Sequence, residues 1–298
     1  MSNLNIIAEL KKLYENGVNI SQYLKKDIKR SNTLESILIS YDLQSGSYTE
    51  FAKNNIKYIN EYSSAIGKTI NGLGEFQSIM EVGVGEATIM CPLMKNISKN
   101  KNLEMYGFDL SWSRVRYSLK NSIESNLKIN LFNANLFEIP LAENSIDIVY
   151  TSHSLEPNGG KEKQALEELY RVTNKYLVLL EPDYKNATNE GRNRMEKLGY
   201  VINLSQHAKE LGYEVIKDES FGISVNALNP TRLTIIKKVP FQGKQNIKYI
   251  CPISKSDLDL YKNFYYSKAG GLIYPVIQNI PSFLSTSAIL GSHLHKFD

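Results

Sequence analysis

Apolar positions change period several times along the chain, and each change marks an element. Between residues 4 and 14 they fall at 4, 6, 7, 10, 13 and 14, the spacing of one helical face. Residues 16–32 are polar and residues 34–43 more apolar. The cluster Tyr41-Asp42-Leu43-Gln44-Ser45-Gly46-Ser47-Tyr48 then leads into an amphipathic stretch that predicts one long helix over 48–70, with Thr49 a candidate cap and Asn71-Gly72 a stop. From residue 77 short apolar runs alternate with amphipathic segments. Strands are predicted at 77–82, 103–108, 128–132, 146–151 and 175–181, then at 214–217 and 233–239. Helices are predicted over 86–98, 112–124, 161–173, 188–199 and 203–211.

That alternation predicts an α/β fold: a Rossmann-like, mostly parallel sheet with helices on both faces, whose ligands bind beyond the C-terminal ends of the strands. Residues 1–74 read as an N-terminal helical cap, 75–241 as the core, 242–245 as a linker and 246–298 as a small β-rich C-terminal module. Within that module, residues 270–281 predict a hairpin turning at Gln278-Asn279.

Composition narrows the class without naming a function. The 298 residues suffice for one large domain and a small one, and the 42% apolar content is ordinary for a globular protein. A net charge of +4 is too small and too scattered to imply nucleic acid by itself. The 19 tyrosines accompany many Asn, Ile and Lys and read as coding bias before they read as stacking surfaces. The polar N-terminus predicts no secretion signal, and no apolar run approaches a membrane span, so the cytoplasm is the expected location, with no membrane partner. Cys91 and Cys251 both precede proline and cannot build a disulfide framework.

The stretch Ile79-Met80-Glu81-Val82-Gly83-Val84-Gly85-Glu86-Ala87-Thr88 carries the candidate chemistry. Gly83 and Gly85 let the backbone turn tightly and bring its amides close to a ligand. Glu81, ending the strand, can accept from an ammonium or a hydroxyl. Asp109 supplies a second carboxylate at the end of the next strand, a spacing that also fits a nicotinamide site. The dinucleotide fingerprint needs a third glycine where this chain has Thr88, so no pyrophosphate site is complete.

In the order Glu81-Val82-Gly83-Val84-Gly85-Glu86-Ala87-Thr88, then Gly107-Phe108-Asp109-Leu110-Ser111, then the block from Ile139 to Tyr150, the chain resembles class I S-adenosylmethionine-dependent methyltransferases over about 77–238. The resemblance implies S-adenosylmethionine as cofactor. It assigns the donor's amino-acid end to Glu81, Gly83 and Gly85 and its ribose to Asp109, for which a helix cap before Ser111 is the alternative. Leu110 and Trp112 would flank the adenine, and Asn135, standing where relatives often carry an acid, would meet the adenine edge with Leu136 beside it. Tyr48 and Ser152 complete the expected cofactor contacts. The block from Thr151 to Gly160 would face the methyl group and the acceptor. There His153 is the candidate general base, or else only packs against the cofactor. Glu156 binds acceptor or caps its loop. Tyr184 and Arg192 are expected to bind acceptor; Arg192 and Arg194 would either cover the pocket or lie on a solvated face.

The tail carries a second resemblance. Cys251-Pro252-Ile253-Ser254 and the run from Gly270 to Pro281 resemble the small zinc-ribbon-like activator proteins that partner tRNA and translation-factor methyltransferases. Ser254 stands where a second cysteine would be, and Tyr266-Ser267 near where a further one is expected, so no metal is expected. His207, His293 and His295 show no ligand spacing. The expected activity is methyl transfer to a hydroxyl or amine, with carboxyl a further candidate, of a small polar metabolite. No N-P-P-Y tetrad follows strand four, which disfavours amide and nucleobase acceptors. Two alternatives stay open: an RNA or translation-protein methyltransferase with a fused activator-like module, and a non-catalytic cofactor-binding regulator. Oligomeric state is not legible.

Overall fold

The computed structural model describes residues 3–25, 32–97, 102–242 and 247–294. The linker expected at 242–245 lies outside them apart from Gln242, and so does His295. Five helices come first: α1 (Ile7–Glu15), α2 (Ile20–Leu24), α3 (Leu34–Leu43), α4 (Ser47–Asn54) and α5 (Ile56–Asn71). Then follow β1 (Ser78–Val82), α6 (Met90–Met94), β2 (Glu104–Asp109), α7 (Trp112–Glu124), β3 (Ile129–Asn133), β4 (Ile146–Ser152), α8 (Glu162–Val172) and β5 (Thr173–Pro182). Helices α9 (Asn189–Leu198) and α10 (Leu204–Glu210) precede β6 (Glu214–Ser220) and β7 (Thr231–Lys237).

These seven strands form one sheet in the order β3-β2-β1-β4-β5-β7-β6. The first five strands run parallel, and β7 is antiparallel to both neighbours. Strand β1 is buried at every position, as a central strand covered on both faces must be. Alternation splits its side chains. Met80 and Val82 join the face packed by α8 and α10, while Ile79 joins the face packed by α5 and α6. Glu81 shares the parity of Ile79, so a carboxylate sits among apolar side chains at the end of the strand.

The N-terminal segment departs from the expectation in two ways. The single helix over 48–70 is broken at Asn55, whose side-chain amide donates to the Phe51 carbonyl at 2.9 Å, a local bond that competes with the helical ladder. Helix α5 also belongs to the sheet's own packing layer, burying Tyr62, Ile66 and Ile70 against Ile79, Ile148 and Val178. Helices α1 to α3 form a satellite cluster around Leu10, Ile20 and Ile39. The helix expected over 86–98 shrinks to Met90–Met94, because Gly85 and Ala87 take left-handed backbone at φ 54° and 55°.

The tail builds a small antiparallel sheet from β8 (Asp259–Leu260), β9 (Phe264–Ser267), β10 (Leu272–Ile277), β11 (Ile280–Pro281) and β12 (Ile289–Leu290). Gln278 and Asn279, at φ 50° and 65°, make the two-residue turn between β10 and β11. This sheet docks on the outer edge of β3. Ser282 bridges Asn133, the Phe283 amide donates to the Asn133 carbonyl at 2.8 Å, and Tyr249 bridges Leu141. Cys251, Tyr274 and Phe283 lie in the same apolar cluster as Phe108 and Phe132 of the core.

Cys251 is buried, with its Sγ 3.2 Å from the Tyr274 hydroxyl. Around it Ser254, Ser256 and Ser267 exchange hydroxyl bonds of 2.8–3.4 Å, and the Gly270 amide donates to Ser267 Oγ at 3.0 Å. Positions 251, 254, 267 and 270 thus face one point, but with one thiol, two hydroxyls and no fourth side chain. Among the described residues no group of three His, Cys, Asp or Glu could hold a metal. Purified protein is expected to hold no stoichiometric zinc by elemental analysis and to melt at the same temperature after dialysis against EDTA. One zinc per chain would overturn this reading of the knuckle. No described helix is long and apolar enough to cross a membrane.

Candidate active site

A cavity of about 280 Å³ opens beyond the C-terminal ends of β1, β2 and β4. Its sheet-side wall holds Gly83, Gly85, Asp109, Leu110, Asn135, Leu136, Ser152 and His153. Its opposite wall comes from the N-terminal helices and one late loop: Leu34, Ile37, Tyr48, Phe51, Tyr58, Ile59, Tyr62 and Val225.

The turn after β1 is built for close approach. Gly83 is at φ 66°, and a Cβ there would lie 2.3 Å from the Ser154 Cβ. Asp109, partly buried, accepts from two backbone donors, Gly85 N at 3.0 Å and Ser111 N at 2.9 Å. Burial raises its pKa, opposed by the nearby Arg114 charge and by those amides. Glu81 lies beneath the turn and outside the cavity lining. It accepts from the Tyr150 hydroxyl at 2.9 Å, and burial pushes its pKa up to about 8. Asn135 accepts from the Phe137 amide at 3.2 Å, so its carbonyl is engaged. Ser152 shares a hydroxyl bond with Tyr62 at 3.2 Å. Trp112 packs in the apolar cluster around Val115 and Ile280 instead of lining the cavity.

Three residues to which the motifs assign no role organise this wall. Glu86 is fully buried and accepts from the Gly46 amide at 2.8 Å, the Thr49 amide at 2.7 Å and the Thr49 hydroxyl at 2.6 Å. It therefore caps α4 from the core, a role the sequence offered to Thr49 itself. Arg114, also buried, pairs with Glu86 at 3.2 Å, donates to the Tyr41 carbonyl at 2.9 Å and lies 3.9 Å from the Tyr48 ring centroid. Its Nη2 is buried without a partner. Asn133 donates to the Asp109 and Leu110 carbonyls at 2.9 and 2.7 Å while accepting from the tail's Ser282 hydroxyl at 3.0 Å. The Asp109 loop is thus wired to the C-terminal module.

His153 reaches the cavity wall with both ring nitrogens already in hydrogen bonds. Its Nδ1 is bonded to Glu156 and its Nε2 lies 2.7 Å from the Thr231 hydroxyl. Burial would lower its pKa, yet Glu156 and the more distant Glu181 raise it above the ordinary value. The positive-φ backbone of His153 and the loop after it are held from below by Glu181, which accepts from the Ser154 and Leu155 amides at 3.1–3.2 Å. Glu156 is spent on His153 and on Asn229 Nδ2 at 2.7 Å. Tyr184 and Arg192 lie outside the cavity. Tyr184 bonds Glu196, while Arg192 donates to the Tyr184 and Lys185 carbonyls at 3.0 and 2.7 Å.

Comparison with known proteins bears on this architecture. Residues 79–175 match the family model described as a methyltransferase domain. Among solved structures, a SAM-dependent methyltransferase from Aquifex aeolicus is 20% identical, with 58% of this chain and 88% of that one covered at a TM-score of 0.46. The complex between the Haloferax volcanii Trm112 methyltransferase activator and the putative methyltransferase matches at 13% identity, covering 67% of this chain and 97% of that one at 0.51. An O-methyltransferase family protein from Burkholderia thailandensis matches at 14%, covering 79% and 72% at 0.51. The last two share the fold. No curated protein matches the chain.

Proposed function

We propose that this chain, whose residues 79–175 form a methyltransferase domain with S-adenosylmethionine as its donor, transfers the methyl group to a hydroxyl or amine of a small acceptor with an apolar body. The observation that carries the acceptor class is the two-walled cavity. A polar wall of glycine turn, Asp109 and Asn135 suits the donor, and it faces a wall of Leu34, Ile37, Phe51, Tyr58, Ile59 and Tyr62. A strongly hydrated metabolite gains little against such a wall, whereas an aromatic or aliphatic body is drawn in by burial. Nucleic acid would require an open basic groove, and the N-terminal helices wall the cavity from that side.

In this reading Asp109 accepts from the ribose hydroxyls, and Asn135 donates to the adenine edge. The unpartnered Nη2 of Arg114 takes the methionine carboxylate. Glu81 answers the ammonium from below the turn. The aromatic rings of Tyr48 and Tyr62 line the space where a sulfonium would sit. Methyl transfer is an in-line displacement at a carbon the sulfonium already activates, so the protein's main contribution is alignment and exclusion of water. His153, held between Glu156 and Thr231, serves to fix the loop after β4. The tail acts in cis as a metal-free relative of the small activator proteins, steadying the Asp109 loop through Ser282 and Asn133.

Calorimetry with S-adenosylhomocysteine tests the donor site. Binding is expected without added metal, and Asp109→Ala is expected to weaken it by roughly 1–3 kcal/mol, the scale of lost charge-assisted hydrogen bonds. Unchanged affinity in that variant would remove Asp109 from the ribose. A transfer assay with tritiated donor, run against a metabolite extract and against total RNA, tests the acceptor. Label confined to the RNA would overturn the small-molecule reading.

A further inference from the structure

Behind the cavity lies a second chamber of about 260 Å³ that shares Ile37, Tyr41, Tyr48 and Pro157 with it. Its far side is basic, formed by Lys25 before the third helix and by Arg194 and Lys197 on α9. Lys25 donates to the Lys197 carbonyl at 3.0 Å, so at least one further N–H remains on its ammonium. Arg194 stands with its guanidinium 5.6 Å from the Tyr200 ring centroid, its Nη1 buried and without a hydrogen-bond partner. Among the described residues no carboxylate forms an ion pair with it. The neighbouring Arg192 shows the contrast, since its guanidinium is already spent on two carbonyls. The acid lining this chamber, Glu156, is committed to His153 and Asn229.

A buried guanidinium nitrogen without an acceptor costs free energy that a ligand oxygen would recover, and a carboxylate matches the planar fork. The chamber also adjoins the cavity in which the acceptor would react. A molecule whose reacting end meets the donor between Tyr48 and Ser152 can extend past Tyr41 and Pro157 into this space.

We propose that the chamber receives an anionic oxygen group, a carboxylate foremost, at the end of the acceptor remote from the methylated atom, with Arg194 and Lys25 as its contacts. The acceptor is then an amphiphilic acid: an apolar body, a nucleophilic hydroxyl or amine at one end and a negative group at the other. The inference rests on the methyl-transfer reading of the adjoining cavity, and the experiment separates the two.

The full chain, saturated with S-adenosylhomocysteine, is titrated in a calorimeter with a panel of hydroxyaryl and aminoaryl carboxylates. Each acid is paired with its neutral amide and with the matching phosphate monoester. At least one anion is expected to bind about tenfold more tightly than its amide, the worth of one charge-assisted contact. Arg194→Gln is expected to erase that preference, and Arg194→Lys to retain part of it, while both keep the melting temperature and the S-adenosylhomocysteine affinity of the parent. The ester arm tells whether carboxylate or phosphate is preferred, and either result supports an anion site. Anions binding no better than amides across the panel, or a preference that survives in Arg194→Gln, overturns the proposal. Failure of the parent protein to bind S-adenosylhomocysteine overturns the methyltransferase reading instead.

Discussion

Glu86→Ala is expected to cost about 3–5 kcal/mol of stability, the usual penalty for stripping a buried charge of its partner, and to abolish donor binding. The carboxylate does two jobs at once. It neutralises Arg114, which is as buried as Glu86 itself, and it receives the free amides at the start of α4. Without it the guanidinium loses its counter-charge within the apolar wall, and α4 loses its cap together with the Thr49 hydroxyl bond. Tyr48, which rides on α4 and stacks on Arg114, leaves the cavity with them. Glu86→Gln keeps one of the two acceptor oxygens for α4 and loses the charge, so it should fall between parent and alanine variant. Urea denaturation and calorimetry on the three proteins check this. Parent-like stability in the alanine variant would show that the pair is not what holds the N-terminal helices to the sheet.

Ligand-free protein is expected to lose stability as pH rises from about 4.5 to about 8, by as much as about 1.4 kcal/mol for each unit over which Glu81 stays protonated only in the folded state. Burial lifts Glu81 to about 8, with the Tyr150 hydroxyl pulling it back and the Asp109 charge lifting it further. A carboxyl raised in this way binds its proton in the folded state while the unfolded chain has released it. Its stabilising contribution is therefore full below the unfolded value and gone once pH passes the folded one. Glu181, lifted by burial to about 7, adds in the same direction. The donor's ammonium favours the ionised carboxylate, so donor affinity should rise over the same interval. Thermal melts across that interval, with and without S-adenosylhomocysteine, read both effects. Glu81→Gln should flatten the ligand-free profile in part, leaving the share due to Glu181. A profile that is already flat in the parent would mean Glu81 ionises freely and cannot be poised for the donor.

Strands β1 to β5 were legible because each is a short apolar run bounded by turn residues, and the parallel sheet follows from their alternation with helices. The place of Gly83, Gly85 and Asp109 on the cavity wall was legible because each sits at a strand end, where local pattern and sheet topology coincide. Glu86 and Arg114 were not, since each looks like an ordinary charged residue near a helix and their pairing spans 28 positions. His153 shows the same limit from the other side. Its place at the end of β4 was readable, but one of its two ring partners, Thr231, lies 78 positions away. Of the two arginines on α9, periodicity could not tell that Arg192 would satisfy itself on the backbone while Arg194 would be left with a free nitrogen. The break at Asn55 was hidden because one side-chain amide, not a change in hydrophobic period, produces it.

The docking of the tail on β3 has a consequence for supply. A sheet of this kind ends in a strand whose outer rim is open to any passing chain, and here Ser282 and Phe283 already occupy it. A competitor would have to displace a segment tethered to the same polypeptide, and so present at an effective concentration of millimolar order. Two-chain holoenzymes stand or fall with the ratio in which their halves are synthesised. Here the sheet and the segment that covers its edge are parts of one polypeptide, so translation itself fixes their ratio at one.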